Sequence, residues 1–204
     1  MTAAEVSAAV LAGGKSSRMG VDKALLEIDG VPMAQRVAQA LSGATHSSVL
    51  LIGGPSSTAQ LLGLAHEPDV IEGEGPLVGV WTAMSATAGD VIISACDLPF
   101  LDVATVSKFL DARCASADVA VAVVDGRRQQ SLARWNRCAF TRVAEAVASG
   151  QRSLRSVLSI VDVVEVPCER SALLNANRPS DLTGDLTGDL DDVIDGSANV
   201  RTIG

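Results

Sequence analysis

Between Leu11 and Lys23 the chain reads Leu-Ala-Gly-Gly-Lys-Ser-Ser-Arg-Met-Gly-Val-Asp-Lys. Gly13 and Gly14 carry no Cβ, so backbone N–H groups there can close on phosphate oxygens. Ser16 and Ser17 add hydroxyl donors, and Lys15, Arg18 and Lys23 gather three cations within nine residues. The chain as a whole has 16 basic and 24 acidic residues, a formal net charge of −8. Concentrating cations locally in an acidic protein points to a phosphate pocket rather than a general polyanion face. Two familiar phosphate loops do not fit. A Walker loop needs four residues between its glycines and then Gly-Lys-Ser/Thr, whereas Gly14 and Gly20 are separated by five and Val21 follows. The dinucleotide pattern GxGxxG fails because Gly13 and Gly14 are adjacent. A second chemical signal is Asp97, within Cys-Asp-Leu-Pro-Phe; a hard carboxylate oxygen there suits a magnesium ion shared with substrate phosphates.

The elements that must position these groups are read from apolar runs. Val6 to Leu11, Val49 to Ile52, Val91 to Ala95, Val119 to Val124 and Val161 to Val166 read as strands. Their continuous rather than alternating apolar character predicts burial on both faces, hence a mostly parallel sheet between helical layers. Pro32 to Leu41, Leu77 to Ala86, Val103 to Arg113, Phe140 to Ala148 and Leu154 to Leu158 read as helices, and Asp102 suits an N-cap. After the polar turn Asp125 to Arg128, the run Ser131 to Trp135 can pair back as one antiparallel strand. The class expected is α/β, a three-layer α/β/α arrangement. Ligands of such sheets lie at the carboxyl ends of the strands, where the first loop and Asp97 both fall.

The chain has 204 residues, 48% hydrophobic and 20% charged, with only three Phe, two Trp and no Tyr. One domain over residues 1–182 is expected, with a core of Ala, Val, Leu and Ile. The stretch 183–204, which continues the Asp-Leu-Thr-Gly repeat, reads as an acidic, loosely ordered tail. So few aromatics and so little basic surface argue against nucleic-acid binding. No apolar run reaches the roughly 20 residues of a membrane span. Cys96, Cys114, Cys138 and Cys168 form no CxxC pair, and His46 and His66 offer no zinc spacing. A reducing cytoplasm is the expected location.

The loop resembles the signature of nucleotidyltransferases of the molybdenum-cofactor guanylyltransferase (MobA-like) type, whose pattern LAGGxSxRMGxDK it matches at every fixed position. Gly75-Pro76-Leu77-Val78-Gly79 resembles the family's GPLxG segment, Cys96 to Pro99 its CDxP segment, and Asn175 to Leu182 its NxNxPxDL ending. The resemblance implies a Rossmann-like sheet of the nucleotide-diphospho-sugar transferase type. It also implies transfer of GMP from GTP to the phosphate of molybdopterin, with release of pyrophosphate and Mg²⁺ as cofactor. Relatives that use CTP more often carry LAAG, so Gly13 favours GTP.

By that resemblance Leu11, Ala12, Gly13, Gly14, Ser16, Lys23, Glu67, Gly79 and Asp97 bind the nucleotide, with Asp69 a competitor for Glu67. Arg18, Lys23 and Asp97 carry the catalysis. Asp97, with Asn175 or Asn177, supports the metal, although either asparagine could instead cap a helix. Gln130 and Ser131 face the acceptor. Transient contact with other cofactor-biosynthesis proteins is implied. The family often has Asn after its second strand, where this chain has Gly53-Gly54, leaving only backbone groups there. CTP transfer, sugar-phosphate nucleotidyl transfer and a nucleotide-binding regulatory role remain as alternatives.

Overall fold

The computed structural model describes residues 6–12, 22–71, 74–176 and 200–202. The core strands are β1 (Ser7–Leu11), β4 (Val49–Ile52), β6 (Val91–Ala95), β7 (Val119–Val124) and β9 (Val163–Pro167), close to the spans expected from sequence. Between β1 and β4 lie two short strands, β2 (Glu27–Ile28) and β3 (Val31–Pro32), which among the described residues pair only with each other. The remaining sheet strands are β5 (Ala65–Glu67), β8 (Arg127–Trp135) and β10 (Val200–Thr202). The main sheet runs β5-β4-β1-β6-β8-β7-β9-β10. Among the described residues, β8 alone in this sheet is antiparallel to its neighbours, β6 and β7; β10 adds parallel to β9. That single reversal matches the expected hairpin, although β8 begins at Arg127, directly after a two-residue Asp125–Gly126 turn.

Alternation along each strand feeds two apolar layers. Ala8 and Val10 join one, with Leu51, Ile92, Ala120 and Val164; helix α1 (Met33–Thr45), α2 (Ser56–Leu62) and α4 (Val103–Ser107) cover it. Ala9 joins the other, with Ile93, Val121 and Val163, covered by α3 (Pro76–Ala86), α5 (Phe140–Ala148) and α6 (Leu154–Leu158). Each buried aliphatic side chain contributes about 1.5–3 kcal/mol. The chain builds its core this way with Phe109 and Trp135 as its fully buried aromatics. The helix expected over 103–113 is shorter: α4 ends at Ser107, and the chain goes on in two 3₁₀ turns separated at Asp111, whose extended ψ of 142° breaks the helical path and whose carboxylate caps the second turn. Asp102 caps α4 by accepting from the Thr105 N–H at 2.6 Å, as expected.

The two edges of the sheet differ. At the amino ends of the parallel strands, Arg134 of β8 is buried and bonded at all three nitrogens. It donates to Asp90 Oδ2 (2.6 Å), Phe109 O (3.0 Å) and Asn136 Oδ1 (2.8 Å). Asn136 in turn donates to the carbonyls of Cys114 and Ala117, and Asp90 Oδ1 accepts from the Arg137 N–H. The carboxyl ends form the candidate site.

Candidate active site

Strands β1 and β6 are paired in register from Ser7↔Val91 to Leu11↔Ala95, and the pairing runs one step further as Cys96 N–H donates to Leu11 O at 3.1 Å. Asp97 therefore leaves the sheet beside the start of the glycine loop. On the far side of that loop, Lys23 opens a 3₁₀ turn, Lys23–Leu25, and its Nζ donates to Asp97 Oδ2 at 2.8 Å. The two side chains lie 74 residues apart in sequence and retain 16% and 21% exposure, enough to be reached from solvent. Asp97 Oδ1 is buried without a hydrogen-bond partner among the described residues. An unsatisfied carboxylate oxygen costs free energy unless something occupies it, and it is the donor type a hard divalent cation takes.

Asp22 explains why Lys23 stands where it does. Its Oδ1 accepts from the Ala24 N–H at 3.0 Å, capping the 3₁₀ turn, and its Oδ2 accepts from Thr58 Oγ1 at 2.5 Å. This residue was matched in the loop signature without a role; its position one before a short helical turn was the available signal.

A second wall lies beyond β4. Gly53 and Gly54 have φ of +70° and +67°. A Cβ built on Gly53 would come within 2.5 Å of Asp69 Oδ2, and one on Gly79 within 3.1 Å of Leu11 Cδ2 and 3.8 Å of Asp69 Oδ1. Leu11, Gly53, Asp69 and Gly79 thus converge, with Gly54 against Ala12. Of the two acidic residues weighed from sequence, the Asp69 carboxylate reaches this wall, while Glu67 meets Gly53 through its backbone carbonyl, which accepts from the Gly53 N–H at 2.9 Å. His66, which sequence reasoning left without a part, places Nε2 at 3.2 Å from the carbonyl oxygens of both Gly53 and Gly54.

On the opposite flank, β8 interrupts its pairing with β7: Val121 faces Ala133, but the next residue, Ala122, faces Gln129. Gln130, Ser131 and Leu132 form the resulting bulge, and Leu132 pairs with Ser94 three residues before Asp97. Bulges beside functional sites re-aim side chains. Gln130 and Ser131 are both half-buried here, and Gln129 Nε2 is buried without a partner among the described residues. Arg128 and Glu165 pair at 2.8 Å on the same edge. The Ala176 N–H donates to Asp97 O at 3.1 Å, which brings the exposed Asn175 next to Asp97. Gly13, Gly14, Ser16, Arg18 and Asn177 lie outside the described residues.

The MobA-like NTP transferase domain model matches residues 8–166. The chain belongs to this family. Among curated relatives, a probable molybdenum cofactor guanylyltransferase of Pelotomaculum thermopropionicum is 30% identical over 187 residues, covering 87% of this chain and 90% of the relative. The molybdenum cofactor guanylyltransferase of Rhizobium rhizogenes is 31% identical over 195 residues, covering 88% and 90%. Among solved structures, molybdopterin-guanine dinucleotide biosynthesis protein A from Archaeoglobus fulgidus superposes with a TM-score of 0.72 at 22% identity, over 87% of this chain and 95% of that one. The 4-diphosphocytidyl-2C-methyl-D-erythritol synthase of Anaerococcus prevotii shares the fold at a TM-score of 0.67 and 12% identity, over 87% and 92%. As a MobA-like NTP transferase, this protein has its matched region spanning both sides of the Lys23–Asp97 pair and the glycine wall. Cys96, inside the CDxP segment, is a buried thiol that burial, reinforced by the neighbouring Asp97 charge, pushes up from its ordinary 9.0 to about 12, so it is a core residue and no nucleophile.

Proposed function

We propose that this protein moves GMP from GTP onto the phosphate of molybdopterin. An acceptor phosphate oxygen bonds to the α-phosphorus, the α–β bridge bond breaks, and pyrophosphate departs with that bond's electron pair. The observation that carries the reading is the 2.8 Å Lys23–Asp97 contact, which joins the two most informative motifs of the family at one strand edge. The names of the relatives at 30% and 31% identity support the choice of guanylyl transfer and of molybdopterin as acceptor.

Each residue has a task within this reading. Leu11, Ala12, Gly53, Gly54, Asp69 and Gly79 form the base end, and Lys23 neutralises the α-phosphate. Arg18 and the loop N–H groups of Gly13, Gly14 and Ser16 hold the β- and γ-phosphates. Gln130 and Ser131 on the β8 bulge face the acceptor. Asp97 fits magnesium: one carboxylate oxygen is unsatisfied, and no cluster of three or more His, Cys, Asp or Glu gathers as a protein-only metal cage among the described residues. Asp97, with Asn175 or Asn177, would hold the ion, which when bound supplies charge neutralisation at the phosphates. The acceptor phosphate has a second pKa near 6, so it is already mostly ionised at neutral pH and needs no general base. The chain's own work is to hold two anions in line and offset their charge. The cytoplasm is the proposed location; among the described residues no helix is long and apolar enough to cross a membrane.

The test incubates purified protein with molybdopterin and GTP, CTP, ATP or UTP, with Mg²⁺ or with chelator, and weighs the product. A guanine dinucleotide formed with GTP and lost on chelation is expected. A cytosine product would replace GTP by CTP, unchanged turnover in chelator would remove magnesium, and absence of any adduct with nucleotide still bound would favour a regulatory role.

A further inference from the structure

We infer that His66 is a positioning residue for nucleotide recognition, fastening the Gly53–Gly54 turn through both of its carbonyls. The inference rests on the nucleotide-site reading above and adds a residue that neither the signature motifs nor the family comparison assigns.

The turn needs an external fastener. Gly53 and Gly54 are successive residues in the left-handed region, a Cβ at 53 would also meet Asp69 Oδ2 at 2.5 Å, and a glycine pair has no side chain with which to hold its own shape. One tie is the Gly53 N–H to Glu67 O bond at 2.9 Å. The others come from a single atom, His66 Nε2, at 3.2 Å from Gly53 O and 3.2 Å from Gly54 O. A ring nitrogen facing two acceptors must carry its hydrogen, so Nε2–H donates a forked bond in either the matching neutral tautomer or the imidazolium. His66 belongs to β5, a three-residue strand at the sheet border that among the described residues pairs with β4 alone. The ring therefore binds the border strand to the turn that β4 leads into.

The consequence reaches the ligand because of what the turn touches. On one side, Gly54 packs against Ala12, whose Cβ and carbonyl oxygen lie 3.4 and 3.6 Å from a Cβ built on Gly54. On the other, the Asp69 carboxylate fills the volume a side chain at 53 would claim, and it reaches Gly79 as well. A turn freed from His66 would move both the loop that begins at Ala12 and the carboxylate at the base end. Phosphate contacts at Lys23, on the next strand edge, would stay in place. The expected signature is weaker nucleotide binding with the chemical step intact.

The experiment uses the full chain and measures GTP binding by calorimetry with Mg²⁺, together with KM and kcat for GTP. His66→Leu removes the donor and keeps side-chain bulk. Its KM and Kd for GTP should rise roughly five- to tenfold, the worth of one positioned hydrogen bond, with kcat per folded molecule within about twofold and acceptor KM unchanged. His66→Gln, whose amide can donate to the same carbonyls, should recover most of the affinity. Unchanged KM and Kd in His66→Leu, with only a lower melting temperature, would reduce His66 to a structural residue and overturn the inference. Should His66→Leu not fold, Gln and Asn at this position decide: the longer Gln must bind GTP more tightly than the shorter Asn, and equal affinities overturn the inference. Wild-type protein that binds no nucleotide would instead fail the reading beneath it, an outcome distinct from equal binding by wild type and variant.

Discussion

The two edges of the sheet both place an arginine or lysine against an aspartate, and they treat it oppositely. At the amino edge, Arg134 is 4% exposed and its three nitrogens, both Asp90 oxygens and the Asn136 amide all have protein partners. At the carboxyl edge, Lys23 and Asp97 keep solvent access, and one Asp97 oxygen has no hydrogen-bond partner among the described residues. A completed network rigidifies and offers nothing to a ligand, whereas an ion pair with spare valence is stable only until something better arrives. The difference separates a scaffold from a site without reference to any motif.

Four substitutions or reactions sharpen or break that contrast. The largest effect is expected at Asp97→Asn, which should lower kcat by about 10²-fold or more, the scale of losing one electrostatic stabiliser. Its melting temperature should stay near that of wild type, since a partly exposed pair is worth only about 0–1 kcal/mol. Wild-type turnover in this variant would end the assignment of Asp97. Arg134→Met should do the reverse, costing about 3 kcal/mol by stranding Asp90 and lowering the melting temperature by roughly 10 °C, while kcat and KM of the remaining folded protein hold. A comparable loss of kcat in both variants would erase the distinction between the edges.

Much of this layout was legible in the chain before any coordinates. β4 and β7 are unbroken Val/Ile/Leu/Ala runs, β1 and β6 are such runs with a single serine each, and their parallel order brings residues 23 and 97 to one edge. α2 was not legible, because Ser56 to Leu62 buries only Thr58, Ala59 and Leu62 and its polar start resembles a loop. β5 was missed for a related reason: three residues at a sheet border, Ala-His-Glu, carry no continuous apolar signal. Without β5 the alternation that separates His66 from Glu67 has no frame, and nothing in the sequence shows that the turn after β4 receives the Asp69 carboxylate. No periodicity encodes a ring nitrogen spanning two carbonyls, since that contact is made only when β4 and β5 are side by side.

The two smaller effects probe supports of the site. Asp22→Ala removes the cap of the Lys23 turn and its bond to Thr58; a loss of about 1 kcal/mol is expected, with kcat falling more than stability alone would cause because Lys23 loses its fixed origin. A melting curve alongside kcat at saturating GTP separates the two. Last comes the thiol beside Asp97. Because its folded value near 12 lies above the ordinary 9.0, Cys96 stabilises the fold fully below pH 9, and that contribution drains away as pH rises towards 12 while the unfolded chain releases its proton. At pH 8 a thiol reagent should label the exposed Cys138 and spare Cys96 until denaturant is added; stoichiometric labelling of Cys96 in native protein would contradict its burial.

The lone reversal of β8 also bears on how such a protein can change. β1, β4, β5 and β6 each hand the chain over to a helix-bearing crossover, so lengthening those connections disturbs whatever packs behind them. The Asp125–Gly126 hairpin has no such burden: it is a two-residue tip opening onto the carboxyl edge, and its strand already tolerates extra residues at the bulge. Insertions there would remodel the flank of the β8 bulge while the flank of Lys23 and the Gly53–Gly54 turn, built from separate strands, is inherited unaltered.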